Sequence, residues 1–545
     1  MTNKEIAKEF QMLAKVMEYQ GENTFKIRSY DKAYNTLRKL DEDLSAKTVD
    51  ELQEIEGIGK AISLKIREII DTGRLPLLER YKAELPQVVL DLMGVRGLGV
   101  KKVKLLVTEL KVESVGELLY AAQENRVSEL KGYSQKSQET LKKQLEFYQR
   151  SQGQARYADL QPLVVALIET LEATGAKASA TGAFRRQMPT IAQLELVATE
   201  KAKATLLGLG LSEDLNSPGQ YIGEYEEFDV RVYLCSEKAY VTTLLKTTGS
   251  TTFLAKHSAL LTFDGETEDD VFAKAGIDFI LPAQRESHNS KFTTAPELLL
   301  PSHICGVVHA HSTYSDGANT VEVLAKACKK AGYQYLTMTD HSKVATYANG
   351  LTIERLRDQC LEVEALNEKM KDFHIFKGTE CDIIRNGGLD YDNATLDQLD
   401  IVIASVHSVL RMSKQDATER LLTAIANPYT MMLGHPTGRI LLSREGYPLD
   451  MERILDACAK YNVAIEVNAS PYRLDLDWTF VRAAVDRGIL ISINPDAHSL
   501  GDIANIEYGV LAAQKAGLRR SECLNARDTE GFSAWIEEQK AKRYA

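Results

Sequence analysis

The chain has 545 residues, a formal net charge of −11 and 44% hydrophobic residues, which is enough for several domains with ordinary apolar cores. No apolar run is long enough to span a bilayer, the first residues lack the apolar segment of a signal peptide, and the seven cysteines form no Cys-x-x-Cys pair. These features exclude a membrane protein and a disulfide-rich secreted domain, and we expect a cytoplasmic protein.

The charge is distributed unevenly along the chain. Residues 1–150 carry 26 basic and 24 acidic side chains, whereas the remainder carries 40 and 53. The weakly positive first part is compatible with DNA contact. Bound divalent cations would offset part of the negative charge of the remainder.

Glycine-rich hairpins between helical patterns mark the first part of the chain, at Gly57-Ile58-Gly59 and Gly97-Leu98-Gly99, with a degenerate third copy around Gly132. A Gly-hydrophobe-Gly turn lets the backbone approach a phosphate and presents the free amides that open the next helix. A single such turn is often only a helix end, but repetition favours contact with the DNA backbone. The residues expected to make that contact are Gly57, Gly59, Lys60, Gly97, Gly99, Lys101 and Lys102.

Together with the segment 23–30, these hairpins resemble the N-terminal and fingers domains of family X DNA polymerases, which predicts domains at residues 1–84 and 85–152. In some members a lysine in the helix after the first hairpin forms a Schiff base with a 5′-deoxyribose phosphate, and Lys65 lies at that position. The resemblance therefore implies lyase chemistry as one role for Lys65. Ordinary contact with phosphate or solvent is the alternative.

Residues 153–240 resemble the palm of the same polymerases but depart from the family pattern. Ala183 stands where the family has Ser, and Gln193-Leu194-Glu195 stands where it has Asp-x-Asp, while Asp229 keeps the later carboxylate. Phosphoryl transfer by two Mg²⁺ ions needs closely set carboxylates, and here one is neutral and another is longer by a methylene.

The segment 241–300, predicted to hold the thumb and a linker, is shorter than in the family. We therefore expect a palm kept as a scaffold and DNA platform, with polymerase activity weak or lost and no dependable Mg²⁺ site. For Arg185 and Arg186, which match the family's Arg-Arg, residual phosphate binding and a solvated surface pair stay open as alternatives.

Seven strand-like apolar runs follow, and each ends in polar or metal-capable side chains. The runs lead into His309 and His311, His341, Glu380, His407, His435, Glu466 with Asn468, and Asp496 with His498. Helical patterns separate them at 320–331, 354–370, 417–426 and 451–461. Strands that alternate with helices pair in parallel, so their carboxyl ends converge on one site, as in a β/α barrel.

The His-x-His pair at the end of the first run is the clearest candidate for metal binding. In an extended strand, His309 and His311 point the same way and can offer two imidazoles to one ion. Asp316 can then reach back past a turn marked by Gly317. A buried pair of core histidines is the alternative for this stretch taken alone.

The motifs at 309–317, 339–342, 378–383, 404–408, 434–439 and 494–499 resemble those of the PHP domain, a metallohydrolase fold of polymerases and histidinol phosphatases. By this resemblance three divalent ions, Mn²⁺ or Zn²⁺, are bound. The first would be held by His309, His311, Glu380 and Asp496, the second by Asp316, His341 and His498, and the third by Glu380, His407 and His435. The catalytic candidates are Glu380, Asp316 and Arg439, and for Arg439 a substrate-phosphate contact and a structural ion pair stay open.

The whole chain resembles bacterial family X polymerases with a C-terminal PHP domain. That implies a multidomain α and α/β protein with helix-hairpin-helix domains, an α+β nucleotidyltransferase palm with a shortened thumb, and a distorted (β/α)7 barrel over 301–545. It also implies a monomeric DNA repair enzyme that acts as a 3′–5′ exonuclease or 3′-end phosphoesterase on gapped, single-stranded or blocked DNA ends. The alternatives are an active gap-filling polymerase with nuclease activity, and a small-molecule phosphatase like histidinol phosphatase.

Overall fold

The computed structural model describes residues 2–40, 42, 44–95, 97–150, 152–286 and 297–544. The chain forms two compact units, one made of Met1–Ala122 and Val127–Tyr148, the other of Gln123–Arg126 and Gln149–Ala545. The five-domain division expected from the sequence is finer and stays a prediction, and residues 287–296 of its thumb and linker lie outside the described residues. No helix in the described ranges is both long and apolar enough to cross a membrane.

The first unit is helical. Its helices are α1 (Asn3–Gln20), α2 (Thr24–Leu37), α3 (Val49–Gln53), α4 (Lys60–Thr72), α5 (Pro76–Ala83), α6 (Gln87–Gly94), α7 (Val100–Leu110), α8 (Val115–Gln123) and most of α9 (Gln135–Arg150). Helix α1 buries Ile6, Phe10, Leu13 and Met17, whose three- and four-residue spacing places them on one face. That face packs against α2 and α5.

The second unit begins with a small α/β region. Its strands are β1 (Ala155–Arg156), β2 (Ala178–Ala180), β3 (Thr190–Ile191), β4 (Leu194–Thr199), β5 (Ser212–Glu213), β6 (Gln220–Tyr225) and β7 (Phe228–Cys235). Its helices are α10 (Tyr157–Glu172), α11 (Gly182–Arg185), α12 (Lys203–Gly208), α13 (Tyr240–Thr248), α14 (Thr251–Lys256) and α15 (Glu268–Lys274). Five strands form one sheet in the order β2-β4-β7-β6-β5, in which only β4 and β7 are parallel neighbours.

A parallel β/α barrel completes the second unit. Its strands are β8 (Gly306–Val307), β9 (Tyr335–Met338), β10 (His374–Asp382), β11 (Ile401–Ser405), β12 (Met432–Leu433), β13 (Ala464–Asn468) and β14 (Ile491–Asn494). Its helices are α16 (Val321–Lys330), α17 (Ile353–Lys369), α18 (Asn393–Leu396), α19 (Lys414–Ile425), α20 (Met451–Tyr461), α21 (Trp478–Val485), α22 (Ile506–Lys515) and α23 (Thr529–Ala541).

The barrel strands follow one another in chain order, each paired in parallel with the next. Just beyond β8 and β14, a parallel bridge between Ala310 and Ala497 nearly closes the ring. These strands are buried almost throughout, as expected when helices cover the outside of a parallel sheet. The predicted seven-stranded barrel is therefore confirmed.

Within the second unit, a lysine of the barrel reaches into the α/β region. Lys515 at the end of α22 is fully buried, and its Nζ donates to the Arg186 carbonyl at 2.8 Å and lies 3.2 Å from Glu286 Oε1. The Nζ also lies 4.4 Å from the centre of the Trp478 ring. Burial lowers the pKa of Lys515 to about 8, which the neighbouring Glu286 opposes.

Candidate metal centre

Nine side chains converge at the carboxyl end of the barrel strands. They are His309, His311 and Asp316 after β8, His341 after β9, Glu380 within β10, His407 after β11, His435 after β12, and Asp496 and His498 after β14. All are buried except His407, which is partly exposed. The structure thus brings together all nine residues that the sequence singled out, and their role as metal ligands stays a prediction.

The carboxylate of Glu380 lies at the centre of this group. Its Oε1 is 2.8 Å from His435 Nε2 and 3.1 Å from His407 Nε2. Its Oε2 is 3.0 Å from His341 Nδ1, 3.4 Å from His309 Nε2 and 3.7 Å from His311 Nε2. A single carboxylate therefore faces five imidazoles.

Three sets of ligand atoms are close enough to hold metal ions. They are His311, Asp316, His341 and His498; His309, His311 and Asp496; and His341, Glu380 and His407, each with atoms within 4.8 Å of one another. In all three sets imidazole nitrogens stand beside carboxylate oxygens, which is a donor set typical of Zn²⁺ or Mn²⁺ sites.

Several polar atoms of the site are buried without a hydrogen bond from any residue that the structure describes. They include His309 Nε2, His311 Nδ1, Asp316 Oδ2, both ring nitrogens of His341, Glu380 Oε2 and His498 Nε2. Buried polar atoms normally find partners, because leaving them unpaired costs free energy. Divalent cations would satisfy these atoms, so the residues present fit such ions.

Electrostatics keep the central carboxylates ionised. Burial opposes ionisation of Glu380, but His407, His309 and His341 outweigh it and lower the pKa of Glu380 well below its usual range. Burial together with the neighbouring imidazoles of His498 and His341 lowers the pKa of His311 to about 3, which leaves that ring neutral at pH 7. Ionised carboxylates and a neutral imidazole are the forms in which these groups bind metal.

A second layer of carboxylates orients the histidines. Glu466 Oε1 lies 2.6 Å from His309 Nδ1, and Asp382 Oδ1 lies 3.2 Å from His407 Nδ1, so that each ring turns its Nε2 towards Glu380. Neither acid is among the side chains expected from the sequence to bind metal. Glu466 ends a strand of the same pattern, and Asp382 lies two residues after Glu380 on the same face of β10, so both signals were present.

The backbone around the His-x-His pair differs from the prediction. Strand β8 ends at Val307, and His309 has a φ of 72°, so the expectation that the pair lies in an extended strand is wrong. The rings of His309 and His311 nevertheless lie 5.2 Å apart, because the chain turns at His309. His435 and Asp496 also have positive φ, at 21° and 51°. Such conformations cost free energy in non-glycine residues and cluster at functional sites.

Glycine is required where Asp316 approaches the site. A Cβ on Gly317 would lie 2.1 Å from the backbone oxygen of His311, far inside contact distance. The turn after Asp316 can therefore fold back on the His-x-His segment only without a side chain at Gly317.

Arg439 does not point a free guanidinium at the metal centre. Its Nη1 donates to the Asp477 carboxylate, its Nε donates to the Arg473 carbonyl at 2.9 Å, and its Nη2 donates to the Leu474 carbonyl. These contacts favour the structural ion pair over the substrate-phosphate contact. The catalytic role for Arg439 stays a prediction that this geometry does not support.

In the α/β region, the face that carries the palm positions is occupied by its own hydrogen bonds. Arg231 Nε donates to Gln193 Oε1 at 3.0 Å, and the Tyr233 hydroxyl donates to Glu195 Oε1 at 2.7 Å. Arg231 is also the register partner of Glu195 across β4 and β7, while Asp229 is exposed on β7. A guanidinium thus lies among the positions at which the resemblance to family X polymerases leads us to expect metal-binding carboxylates. Within the described ranges, the acid and histidine groups close enough to hold a metal all belong to the barrel.

The two arginines after Gly182 are engaged in buried ion pairs. Arg185 donates to both carboxylate oxygens of Glu268, at 2.9 and 2.7 Å, and Arg186 Nε donates to Glu286 Oε1 at 2.7 Å. Arg285 shares Glu268, and these arginines lower the pKa of Glu268 to about 2 although burial opposes this. The expectation of a solvated surface pair is therefore wrong, and phosphate binding would have to compete with these carboxylates.

The hairpins of the first unit have the geometry expected of anion-binding turns. Gly57 and Gly97 have φ values of 92° and 85°, which glycine adopts readily. Gly59 and Gly99 are the N-caps of α4 and α7, and neither helix start is capped by a side chain, so the first amides are available to an anion. The lysines Lys60, Lys101 and Lys102 beside these turns are exposed. Their contact with DNA stays a prediction, as does the role of the half-buried Lys65 on α4.

Glu466 offers a test of metal binding that leaves the predicted ligands unchanged. Replacing Glu466→Gln removes the charge that holds His309 Nδ1, and we expect metal affinity to fall about 10- to 100-fold, as for other outer carboxylates. Equilibrium dialysis against Mn²⁺ and Zn²⁺ with elemental analysis measures this. The control is Glu322→Gln, since Glu322 is an exposed partner of Lys326 on α16. Equal metal content in both variants would contradict the role given to Glu466.

Two family profiles match the chain. One is described as a helix-hairpin-helix domain and covers residues 1–75, and the other is described as a PHP domain and covers residues 308–470. The barrel alone is similar to smaller proteins: a probable phosphatase of Thermoanaerobacter sp. (strain X514) is 30% identical over 43% of this chain and 95% of its own length. A probable phosphatase of Photobacterium profundum is 27% identical over 43% of this chain and 94% of its own length.

One relative matches nearly end to end. The protein named DNA polymerase/3'-5' exonuclease PolX of Bacillus subtilis (strain 168) is 33% identical over 98% of this chain and 99% of its own length. This match spans the hairpins, the α/β region and the barrel together. The chain therefore belongs to the PolX family of DNA polymerases with a C-terminal PHP domain.

Proposed function

We propose that this PolX protein acts in DNA repair mainly as a metal-dependent 3′–5′ exonuclease or 3′-end phosphoesterase, as a cytoplasmic monomer. The observation that carries the proposal is the cluster of nine candidate ligand side chains around Glu380, eight of them buried, in a chain that also contains helix-hairpin-helix turns. The hairpins supply contact with a DNA backbone, and the barrel supplies the hydrolytic centre. The name of the Bacillus subtilis relative includes this nuclease activity.

Three divalent ions, Mn²⁺ or Zn²⁺, fit the three sets of ligand atoms. When bound, such ions supply Lewis acidity, which activates water at neutral pH and neutralises the charge of a phosphate ester. The chain contributes the rest: Glu380 belongs to one set and faces histidines of the other two, while Glu466 and Asp382 hold His309 and His407 in place. Because His407 is the least buried of the nine side chains, we propose that the scissile phosphate enters at the edge formed by His341 and His407.

Removing the central carboxylate charge tests the nuclease proposal. With Mn²⁺ present, we expect the protein to shorten 5′-labelled single-stranded and gapped oligonucleotides from their 3′ ends, and Glu380→Gln to lower the rate by at least about a hundredfold, more than loss of an outer carboxylate costs. Gel analysis of product length over time measures both. The exposed Glu322→Gln variant is the control.

The nuclease proposal is wrong if the unaltered protein leaves the DNA intact. It is also wrong if cleavage persists in the Glu380→Gln variant or in the presence of chelators. The barrel-only relatives favour a second candidate, a small-molecule phosphatase. A screen of phosphorylated metabolites beside the labelled oligonucleotides separates the two candidates, since a phosphatase would turn over the metabolites and spare the DNA.

We propose further that polymerase activity is weak or lost. Metal-assisted nucleotide transfer needs free carboxylates and cations at the palm positions. Here Gln193 accepts a hydrogen bond from Arg231, and Glu195 accepts one from Tyr233. Arg185 and Arg186 form ion pairs with Glu268 and Glu286. An active gap-filling polymerase remains the alternative, and the name of the Bacillus subtilis relative includes that activity.

Primer extension on a one-nucleotide gap measures the residual polymerase. We expect little extension, and no further decrease in Asp229→Ala, because no group of metal-capable side chains among the described residues includes Asp229. The assay is run in a His309→Ala background so that degradation does not hide synthesis. Extension that survives His309→Ala and disappears with Asp229→Ala would restore the polymerase alternative.

Lyase chemistry at Lys65 is a separate hypothesis that rests on its position in the helix after the first hairpin. If Lys65 forms a Schiff base, borohydride should trap a covalent adduct between the protein and an incised abasic site. The adduct should vanish in Lys65→Arg, which keeps the charge but not the nucleophile. Absence of an adduct with the unaltered protein means that Lys65 is no lyase.

A further inference from the structure

A short segment distant in sequence from the barrel lies on the metal centre. Residues Gln123–Arg126 belong to the second unit. Gln123 Nε2 donates to Asp502 Oδ1 at 2.6 Å, and Asn125 Nδ2 lies 3.4 Å from the His498 carbonyl and 3.5 Å from the Asp316 carbonyl. Asn125 has a φ of 58°, a left-handed conformation that asparagine tolerates. The PHP profile begins only at residue 308, so this segment is an addition to the domain.

The last residue of the segment packs on an exposed aromatic ring. The guanidinium carbon of Arg126 lies 5.0 Å from the centre of the Tyr347 ring, and Arg126 Nη1 lies 3.4 Å from Glu124 Oε2. Cations attract the negative face of an aromatic ring, and the fixed geometry restrains the ring. Glu124 is buried, so it limits the movement of Arg126 in turn.

Tyr347 lies at the open edge of the metal centre. Its ring centre is 6.2 Å from that of His341 and 6.4 Å from that of His407. Tyr347 is nevertheless 38% exposed, although His341 is buried and His407 is only partly exposed. An exposed aromatic ring costs hydrophobic free energy that burial would recover, and exposed rings beside a positive charge are typical of platforms for nucleic acid bases.

We propose that Tyr347, held by Arg126, forms a nucleobase-binding rim on the metal centre, so that the site takes a nucleotide in preference to a bare phosphate. The base of the terminal nucleotide stacks on Tyr347 while its phosphate lies among the nine ligand side chains. Stacking accepts every base, because each base has a π-face, so the rim recognises nucleotides without selecting sequence. This inference rests on the proposed nuclease function and names its substrate class.

Binding of dAMP and of inorganic phosphate to the full-length, Mn²⁺-loaded protein tests the rim by calorimetry. Loss of a stacked ring costs about tenfold in affinity, within the usual range for one base. We therefore expect Tyr347→Leu to raise the Kd for dAMP about tenfold and to leave the Kd for inorganic phosphate within about twofold. Tyr347→Phe, which keeps the ring, should restore dAMP binding. Arg126→Ala should weaken dAMP binding about threefold, and Arg126→Lys should recover part of it.

A matched control exists on the other side of the barrel. Tyr461 is also 38% exposed and has the Nζ of Lys460 4.9 Å from its ring centre, but it ends α20, just before the amino end of β13. We expect Tyr461→Leu to leave the Kd for dAMP unchanged. Binding of inorganic phosphate reports whether the metal centre is intact in each variant.

The proposal of a nucleobase-binding rim is wrong if the unaltered protein binds dAMP no more tightly than inorganic phosphate, or if Tyr347→Leu leaves the Kd for dAMP unchanged. It is also wrong if Tyr347→Leu weakens the binding of both ligands equally, because Tyr347 would then only support His341 and His407. The failure of the nuclease proposal is distinguishable. If the protein binds dAMP through Tyr347 but leaves DNA intact, the rim proposal holds and the exonuclease proposal fails. If the protein shortens DNA but binds dAMP independently of Tyr347, only the exonuclease proposal holds.

Discussion

The barrel strands must bring five imidazoles to the carboxylate of Glu380. A buried carboxylate is stable only with partners, and here nitrogens from five histidines lie within 3.7 Å of its oxygens. Those histidines follow β8, β9, β11 and β12, so these strands must end at the same level along the barrel axis. A parallel barrel meets this requirement because all its strands have their carboxyl ends on one side.

The palm positions of the α/β region and the metal centre of the barrel differ in how their polar side chains are satisfied. In the α/β region, Gln193, Glu195, Arg185 and Arg186 have partners from the chain itself. At the end of the barrel, by contrast, ring nitrogens and carboxylate oxygens are buried without hydrogen bonds from the described residues. Satisfied groups stabilise a fold, whereas unsatisfied ones indicate a place for a ligand. This contrast is the physical basis for the proposal that the barrel carries out hydrolysis and that the palm supports it.

Local sequence patterns predicted most of the fold. The helix at 451–461 was predicted with the bounds that the structure shows, and the seven strands follow the apolar runs, because burial on both faces leaves a clear apolar signature. Strand ends and the turns after them are local positions that marked the candidate side chains, and the resemblance to the PHP domain narrowed these to nine. The backbone of His309 could not, since its positive φ accompanies the turn that brings Ala310 to Ala497 across the ring.

Pairings between distant residues were beyond sequence reasoning. Arg185 contacts a buried carboxylate 83 residues away, and Arg186 contacts one 100 residues away, so an arginine pair that looks solvent-facing in sequence is held in ion pairs in the fold. Arg126 and Tyr347 are likewise joined only by folding. Such contacts depend on how separate elements pack, which apolar periodicity does not encode.

Lys515 joins the barrel to the neighbouring α/β region, and this contact matters when the barrel is compared with its smaller relatives. Those relatives match only 43% of this chain over nearly their full length. Here an ammonium group enters the neighbouring region and bonds to the Arg186 carbonyl beside Glu286, so separation would strand a carboxylate on one side and a cation beside Trp478 on the other. Transfer of the barrel alone into another protein would therefore require replacement of Lys515 by an uncharged residue.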